Sequence, residues 1–99
     1  SSQSRGLGDV YKRQVWARSL AQSFGTSRKR INIVAPGFVD TDILAGDSAE
    51  KRAARIQEVP LKRIGTPDDI AGTVSFLVSE DSKYITGTVI HVNGGLYLP

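Results

Sequence analysis

The sequence has no cysteine, no methionine and a single histidine, His91. Without thiols there is no disulfide framework, no thiolate metal site and no cysteine nucleophile. One histidine and no cysteine also leave no ligand set for zinc, and no metal site is expected. No apolar run approaches the roughly 20 residues a helix needs to cross a bilayer, so no membrane partner is expected. The first fourteen residues lack the apolar core of a secretory signal. With no disulfide chemistry in prospect, the expected location is cytoplasmic. At 99 residues, 39% of them hydrophobic, there is room for one domain at most and only a modest core.

A strong excess of one charge is missing too. Thirteen Lys and Arg stand against ten Asp and Glu, a net charge of +3. Residues 1–14 hold three of the cations (Arg5, Lys12, Arg13) and one acid (Asp9), which leaves ten against nine in the remainder. A nucleic-acid binder needs a basic stripe across a folded face. The one basic cluster, Arg28-Lys29-Arg30, falls in an expected loop and reads as a solvated turn. No nucleic-acid partner is expected.

What is present divides into four stretches. Residues 1–14, SSQSRGLGDVYKRQ, are rich in Ser, Gly and Arg and show no clear period. The run GLGDVYKRQ resembles translated adapter sequence, so this segment is set aside as non-native or disordered. Residues 15–25 read as a helix with Val15, Trp16, Leu20 and Phe24 on one broad face and Gly25 as its C-terminal cap. Residues 31–35, INIVA, read as a strand buried on both faces and stopped by Pro36-Gly37. Beyond it, Asp47 with Glu50 three residues later suggests a capped helix over about 48–58, with Ala53, Ile56 and Val59 along one face. Thr66-Pro67-Asp68-Asp69 is a stronger helix start: a capping hydroxyl, a proline in the first turn and two acids at the positive end of the helix dipole. Ile70, Ala71, Val74, Phe76, Leu77 and Val78 predict that this helix is largely buried. Residues 88–92, TVIHV, read as a second buried strand, ended by Asn93-Gly94-Gly95.

Strand, helices and strand in this order predict a right-handed βαβ unit with a long excursion after the first strand. Two parallel strands do not make a stable sheet. The expected fold is therefore α/β: the C-terminal portion of a Rossmann-like doubly wound parallel sheet, an incomplete domain over residues 15–99.

These blocks carry a family resemblance. Asn32-Ile33-Val34-Ala35-Pro36-Gly37-Phe38-Val39-Asp40-Thr41-Asp42 is similar to the segment after the sixth strand of classical short-chain dehydrogenases/reductases. Pro60-Leu61-Lys62-Arg63-Ile64-Gly65-Thr66-Pro67-Asp68-Asp69-Ile70-Ala71 resembles the family's next signature. Phe76-Leu77-Val78-Ser79, Tyr84-Ile85-Thr86-Gly87 and His91-Val92-Asn93-Gly94-Gly95 follow in order. The ending Leu96-Tyr97-Leu98 is most like the 3-oxoacyl-[acyl-carrier-protein] reductase branch, with the sugar, steroid and small-alcohol branches as alternatives.

The resemblance implies hydride transfer between a nicotinamide cofactor, NADP or NAD with NADP favoured, and a small-molecule or acyl-carrier-bound carbonyl. It also implies a homotetramer in the full-length protein. Ligands in open α/β sheets bind beyond the carboxyl ends of the strands, where residues 36–41 lie. Pro36 fixes the chain's exit, and Gly37 permits close approach of a flat ring. By the resemblance, Val39 offers main-chain groups to the nicotinamide carboxamide and Thr41 offers its hydroxyl. An ordinary strand-ending turn with a helix-capping Thr41 is the alternative. Residues 40–62 correspond to the substrate lid, where Ile43, Leu44, Ile56 and Val59 either line a pocket or pack the helix onto the sheet. Lys51, Arg52 and Arg55 either steer an acidic carrier protein or form a solvated helix face. His91 is expected to be a satisfied core or interface histidine.

The family's catalytic Ser, Tyr and Lys have no counterparts here, so no catalytic residue is assigned. Ungapped, the Tyr and Lys positions fall on Gly6 and Val10, and Tyr11 has Val15 four residues later. The chain is therefore expected to be inactive alone. A second expectation is a truncated, non-catalytic module that binds full-length subunits.

Overall fold

The computed structural model describes residues 2–97. Its elements are helix α1 (Ser2–Phe24), strand β1 (Ile33–Pro36), helices α2 (Asp42–Ala45), α3 (Ala49–Glu58) and α4 (Pro67–Leu77), and strand β2 (Val89–Val92), with short 3-10 turns at Gly25–Ser27 and Glu80–Ser82. β1 and β2 pair in parallel, Ile33 opposite Val89 through Pro36 opposite Val92. The expected strand, helices, strand order is present, and with it the incomplete α/β architecture.

Both strands start slightly later than their apolar runs predict. Ile31 and Asn32 are occupied differently. The Ile31 N–H donates to Thr86 Oγ1 at 3.0 Å, and the Gly87 N–H donates to the Ile31 carbonyl at 2.7 Å. Asn32 Nδ2 donates to the Ile85 carbonyl at 3.0 Å while its Oδ1 accepts from the Thr88 N–H at 3.1 Å. These bonds align the two strands before the ladder begins.

Arg30 is the centre of that arrangement, which corrects its reading as part of a solvated turn. Its Nη1 donates to the carbonyls of Ser82 (2.9 Å) and Ile85 (3.0 Å), and its Nη2 to that of Leu77 (2.9 Å). One planar guanidinium thus ties the end of α4, the 3-10 turn and the lead-in to β2. Ser82, fully buried beside it, donates from Oγ to the same Leu77 carbonyl at 2.9 Å.

α1 runs back to Ser2, through the segment set aside above. Gly25 does not cap it. The chain turns on through a 3-10 turn to Arg28, which is left-handed at φ 58° and whose N–H donates to the Gly25 carbonyl. The predicted apolar face is also corrected: Trp16 is 69% exposed, and Val15 and Phe24 are exposed too, while Ala17 is the residue fully buried. Close approach explains the choice of a small residue. A Cβ on Gly87, at φ +76°, would lie 3.0 Å from Ala21 Cβ and 3.6 Å from the Ala17 carbonyl. α1 therefore meets the turn before β2 on its alanine side.

α4 begins as its sequence predicts but is not largely buried. Leu77 is its one buried residue; Val74, Phe76 and Val78 are exposed. A helix in a doubly wound fold is covered by several strands, and only two are present among the described residues. The core is correspondingly small: Ala17, Ala35, Leu44, Val59, Ile64 and Leu77.

Arg30→Ala should lower the stability of the β1–β2 unit by about 3 kcal/mol, since it removes three part-buried hydrogen bonds from one charged donor. Arg30→Lys should recover only part of this, because an ammonium cannot span three carbonyls. Urea denaturation midpoints of the three proteins measure it.

Candidate functional site

Beyond the carboxyl end of β1 the chain is held in a narrow course by one parallel bridge, Val39 opposite Gly65. The Gly65 N–H donates to the Phe38 carbonyl at 2.9 Å, and the Asp40 N–H donates to the Gly65 carbonyl at 2.8 Å. In a parallel bridge of this kind the bonds go through the residues flanking Val39. Its own N–H and C=O face the other way, and neither bonds to another described residue. A residue whose donor N–H and acceptor C=O face the same way is what a primary carboxamide can pair with.

Thr41 stands at the N-terminal cap position of the four-residue α2, and the Ala45 N–H donates to its carbonyl at 2.9 Å. Its side chain makes no capping bond. The alternative of an ordinary capping threonine is not what the side chain does. Pro36, Val39 and Thr41 line one open cleft of about 620 Å³, whose opposite wall is α4 through Pro67, Ile70 and Val74. The lining is almost wholly apolar.

Gly37 does not line this cleft. A Cβ there would lie 2.7 Å from Asn93 Cβ, and the Gly37 N–H donates to the Val92 carbonyl at 3.1 Å. The close approach that requires glycine here is to the end of β2. Asn93 in turn begins the glycine turn, its Oδ1 accepting from the Gly95 N–H at 2.9 Å.

α4 is fixed against the cleft by its first turn. The Thr66 hydroxyl accepts from the Asp69 N–H, and Asp69 Oδ2 accepts from the Thr66 N–H at 2.7 Å, a complete capping box. Arg63 grips the same carboxylate with both terminal nitrogens, at 2.8 and 3.1 Å. Those bonds from Arg63, followed by the one from the Thr66 backbone, hold the Asp69 carboxyl well below the usual carboxylate range.

In the excursion between β1 and α4, the structure separates packing from lining. Leu44 and Val59 are buried, Ile56 is half-buried, and none of the three lines the cleft; the side chain of Ile43, like Leu98, lies outside the described residues. The helix cap is Ser48, whose Oγ accepts from the Lys51 N–H, not Asp47. Asp47 instead pairs with Arg55 at 2.6 Å, and Asp40 pairs with Arg52 at 3.1 Å. Both arginines thus have acidic partners within the chain, and the Arg52 pair is exposed to solvent. Of that trio, Lys51 is left without a salt bridge among the described residues.

His91 is half-buried, and its Nε2 is buried with no hydrogen-bond partner among the described residues, which corrects the expectation of a satisfied histidine. It borders a second cavity, of about 520 Å³, with Phe38, Leu61 and Ile70. No group of three His, Asp or Glu able to hold a metal occurs among the described residues, and none of their helices is long and apolar enough to cross a membrane.

Residues 14–97 match the family model described as enoyl-(acyl carrier protein) reductase. The chain is 45% identical over 80 residues to the 3-oxoacyl-[acyl-carrier-protein] reductase MabA of Mycobacterium bovis, which covers 81% of the chain and 32% of that protein. In structure it is similar to a 3-oxoacyl-[acyl-carrier protein] reductase from Brucella melitensis, with a TM-score of 0.82 at 32% identity over 87% of this chain and 32% of that one. It is similar also to a short-chain dehydrogenase/reductase (glucose/ribitol dehydrogenase) from the same organism, with a TM-score of 0.79 at 31% identity over 89% of this chain and 36% of that one. The chain spans about a third of the length of the curated relatives it matches.

The capping carboxylate sets a pH dependence for the cleft wall. Its folded pKa is depressed, so the stability it contributes is fully present above the ordinary aspartate value of about 3.9 and is lost as pH falls below that toward the folded value. Asp69→Asn should lower thermal stability near neutral pH and reduce its loss between pH ~5 and ~3. Circular-dichroism melts across that range check both.

Proposed function

This chain belongs to the short-chain dehydrogenase/reductase family, and from that premise we propose that it is the carboxyl-terminal part of an NADP(H)-dependent 3-oxoacyl-[acyl-carrier-protein] reductase. The names of its relatives support that branch. The observation that carries the reading is the cleft at the end of β1. There a main-chain donor and acceptor at Val39 and the Thr41 side chain border an apolar slot that also includes Pro36.

When bound, a nicotinamide supplies the hydride for the carbonyl carbon. This chain's residues hold and orient the ring. Val39 would pair with the carboxamide through its N–H and C=O, Thr41 would bond the carboxamide or the pyrophosphate, and Pro36 and Val74 would offer the ring an apolar surface. No residue here moves the substrate proton. The family's Tyr and Lys stand four residues apart, and Tyr11 is followed at that distance by Val15. The chain alone is therefore inactive. Its binding of the whole cofactor is weak, because the glycine-rich loop that holds the pyrophosphate is not in this sequence.

A second reading is that the chain docks onto intact subunits of a related reductase as a non-catalytic module. The exposed Trp16, Phe76 and Val78 favour it. Co-purification of the tagged chain with such a subunit supports docking; elution of the chain by itself excludes it.

Nicotinamide mononucleotide tests the cleft without the missing phosphate contacts. Its addition should shift the amide resonances of Val39 and Thr41, and Thr41→Val should weaken this binding about fivefold, one lost hydrogen bond. Unmoved resonances would refute the site. Intact NADPH should bind no better than at high micromolar concentration, as read by its fluorescence, and a micromolar Kd would overturn the expectation of an incomplete site.

A further inference from the structure

We propose that Asn93-Gly94 is a self-modification site: the Gly94 peptide nitrogen displaces the Asn93 side-chain amide as ammonia, residue 93 ends as isoaspartate, and the closed turn holds the reaction back. Nothing in this rests on the cleft reading above.

The chain has two asparagines, Asn32 and Asn93. An asparagine side chain can close a five-membered imide on the next residue's peptide nitrogen when that nitrogen is free to approach it. Asn32 is followed by Ile33, whose branched Cβ crowds the approach and whose N–H donates to the Thr88 carbonyl at 2.9 Å. Asn93 is followed by Gly94, which has no Cβ and whose N–H has no acceptor among the described residues. Asn93 is also half-buried, not sealed from water.

The step needs no oxidant. The Gly94 nitrogen bonds to Asn93 Cγ, the Cγ–Nδ2 bond breaks, and the Gly94 proton leaves with the amide as ammonia. Water then opens the imide. Opening at Cγ gives aspartate; opening at the main-chain carbonyl routes the backbone through Cβ and Cγ and gives isoaspartate.

The folded turn opposes the attack. Both amide atoms of Asn93 are engaged: Oδ1 accepts from the Gly95 N–H at 2.9 Å, and Nδ2 donates to the Tyr97 carbonyl at 3.2 Å. The Leu96 N–H donates to the Asn93 carbonyl at 3.1 Å across Gly94 at φ +62° and Gly95 at φ +92°, the signs of a type I′ turn. These bonds fix the side chain and the backbone relative to each other, so Cγ and the Gly94 nitrogen meet only when the turn opens.

Once formed, isoaspartate cannot be accommodated where asparagine was. It adds an atom to the main chain at a point tight on both sides. A Cβ on Gly37 would lie 2.7 Å from Asn93 Cβ, and one on Gly94 would lie 2.7 Å from Val59 Cγ1. The Leu61 N–H donates to the Gly94 carbonyl at 3.1 Å, and the Gly37 N–H to the Val92 carbonyl at 3.1 Å. The modification therefore loosens the joined ends of β1 and β2.

Incubating the intact chain at mildly alkaline pH, native and unfolded in guanidinium chloride, tests this. Peptide mapping by mass spectrometry with fragmentation that separates isoaspartate from aspartate reads each asparagine. Isoaspartate should accumulate at residue 93 and not at residue 32, at least roughly tenfold more slowly in the native chain. No isoaspartate at 93 in the unfolded chain would overturn the site; equal rates in the two states would overturn the hold. Amide hydrogen exchange of the isoaspartate-bearing molecules should be roughly fivefold faster at Gly37 and Leu61. Asn93→Asp brings the charge without the extra backbone atom and should leave both amides protected. Native exchange in the isoaspartate form, or equal loosening in Asn93→Asp, would overturn the backbone effect.

Discussion

The three-carbonyl grip of Arg30 is the constraint on which the rest of this structure depends. Parallel strands cannot be joined by a tight turn, so β1 and β2 must find each other across more than fifty residues. The loop-closure cost of that search is large, and four-residue strands offer little ladder to offset it. Arg30 and Asn32 supply a second set of bonds at the point of entry. They fix Leu77, Ser82 and Ile85 against the start of β1, at the point where the ladder begins. A charged donor to several carbonyls is among the stronger arrangements available to a chain this small.

Register at that end determines geometry at the other. With Pro36 opposite Val92, Gly37 and Asn93 come into contact at the strand ends, and only a residue without a Cβ fits there. The chain can then leave the sheet in one direction, toward the bridge with Gly65. That bridge places Val39 with its peptide groups outward, and the residue after Gly65 is Thr66, the cap of α4. The two walls of the cleft are thus adjacent because one hydrogen-bonded step, Phe38 to Gly65 to Asp40, joins the strand exit to the helix entrance. Pocket and scaffold share the same few bonds.

This explains which features were legible in the sequence. The α4 start was, because Thr66, Pro67 and Asp69 act on atoms within three residues of themselves. The strands and their stops were, because apolar runs and Pro-Gly are local signals. The turn at the strand end was legible from the same punctuation, while the packing of Gly37 against Asn93 depends on a residue 56 positions away. Arg30 was not legible: a cation in a run of three looks solvated until carbonyls 47 to 55 residues away are placed around it. Ser48 was passed over for Asp47, because either can cap a helix and only the tertiary pull of Arg55 separates them. The faces of α1 and α4 misled for a different reason. Apolar periodicity reports what a helix is built to touch, and for Trp16, Val74 and Phe76 those partners are not among the described residues.

The same pair of residue types, arginine and aspartate, appears in three places with different consequences. Arg63 and Asp69 are six residues apart, and the carboxylate also accepts from the Thr66 backbone, so the pair is one corner of a capping box and moves with α4. Arg52 with Asp40 joins α3 to the strand exit, and Arg55 with Asp47 joins the helix to the residue before its own cap; neither carboxylate accepts a backbone bond among the described residues. An ion pair inside a cap adds to a geometry the backbone already imposes. An ion pair between elements is itself the geometry, and it lasts only while both elements gain by it. The Arg63 pair therefore reinforces the cleft wall at α4, whereas the Arg52 pair ties α3 to the strand exit by itself, and the difference lies in what else each carboxylate touches.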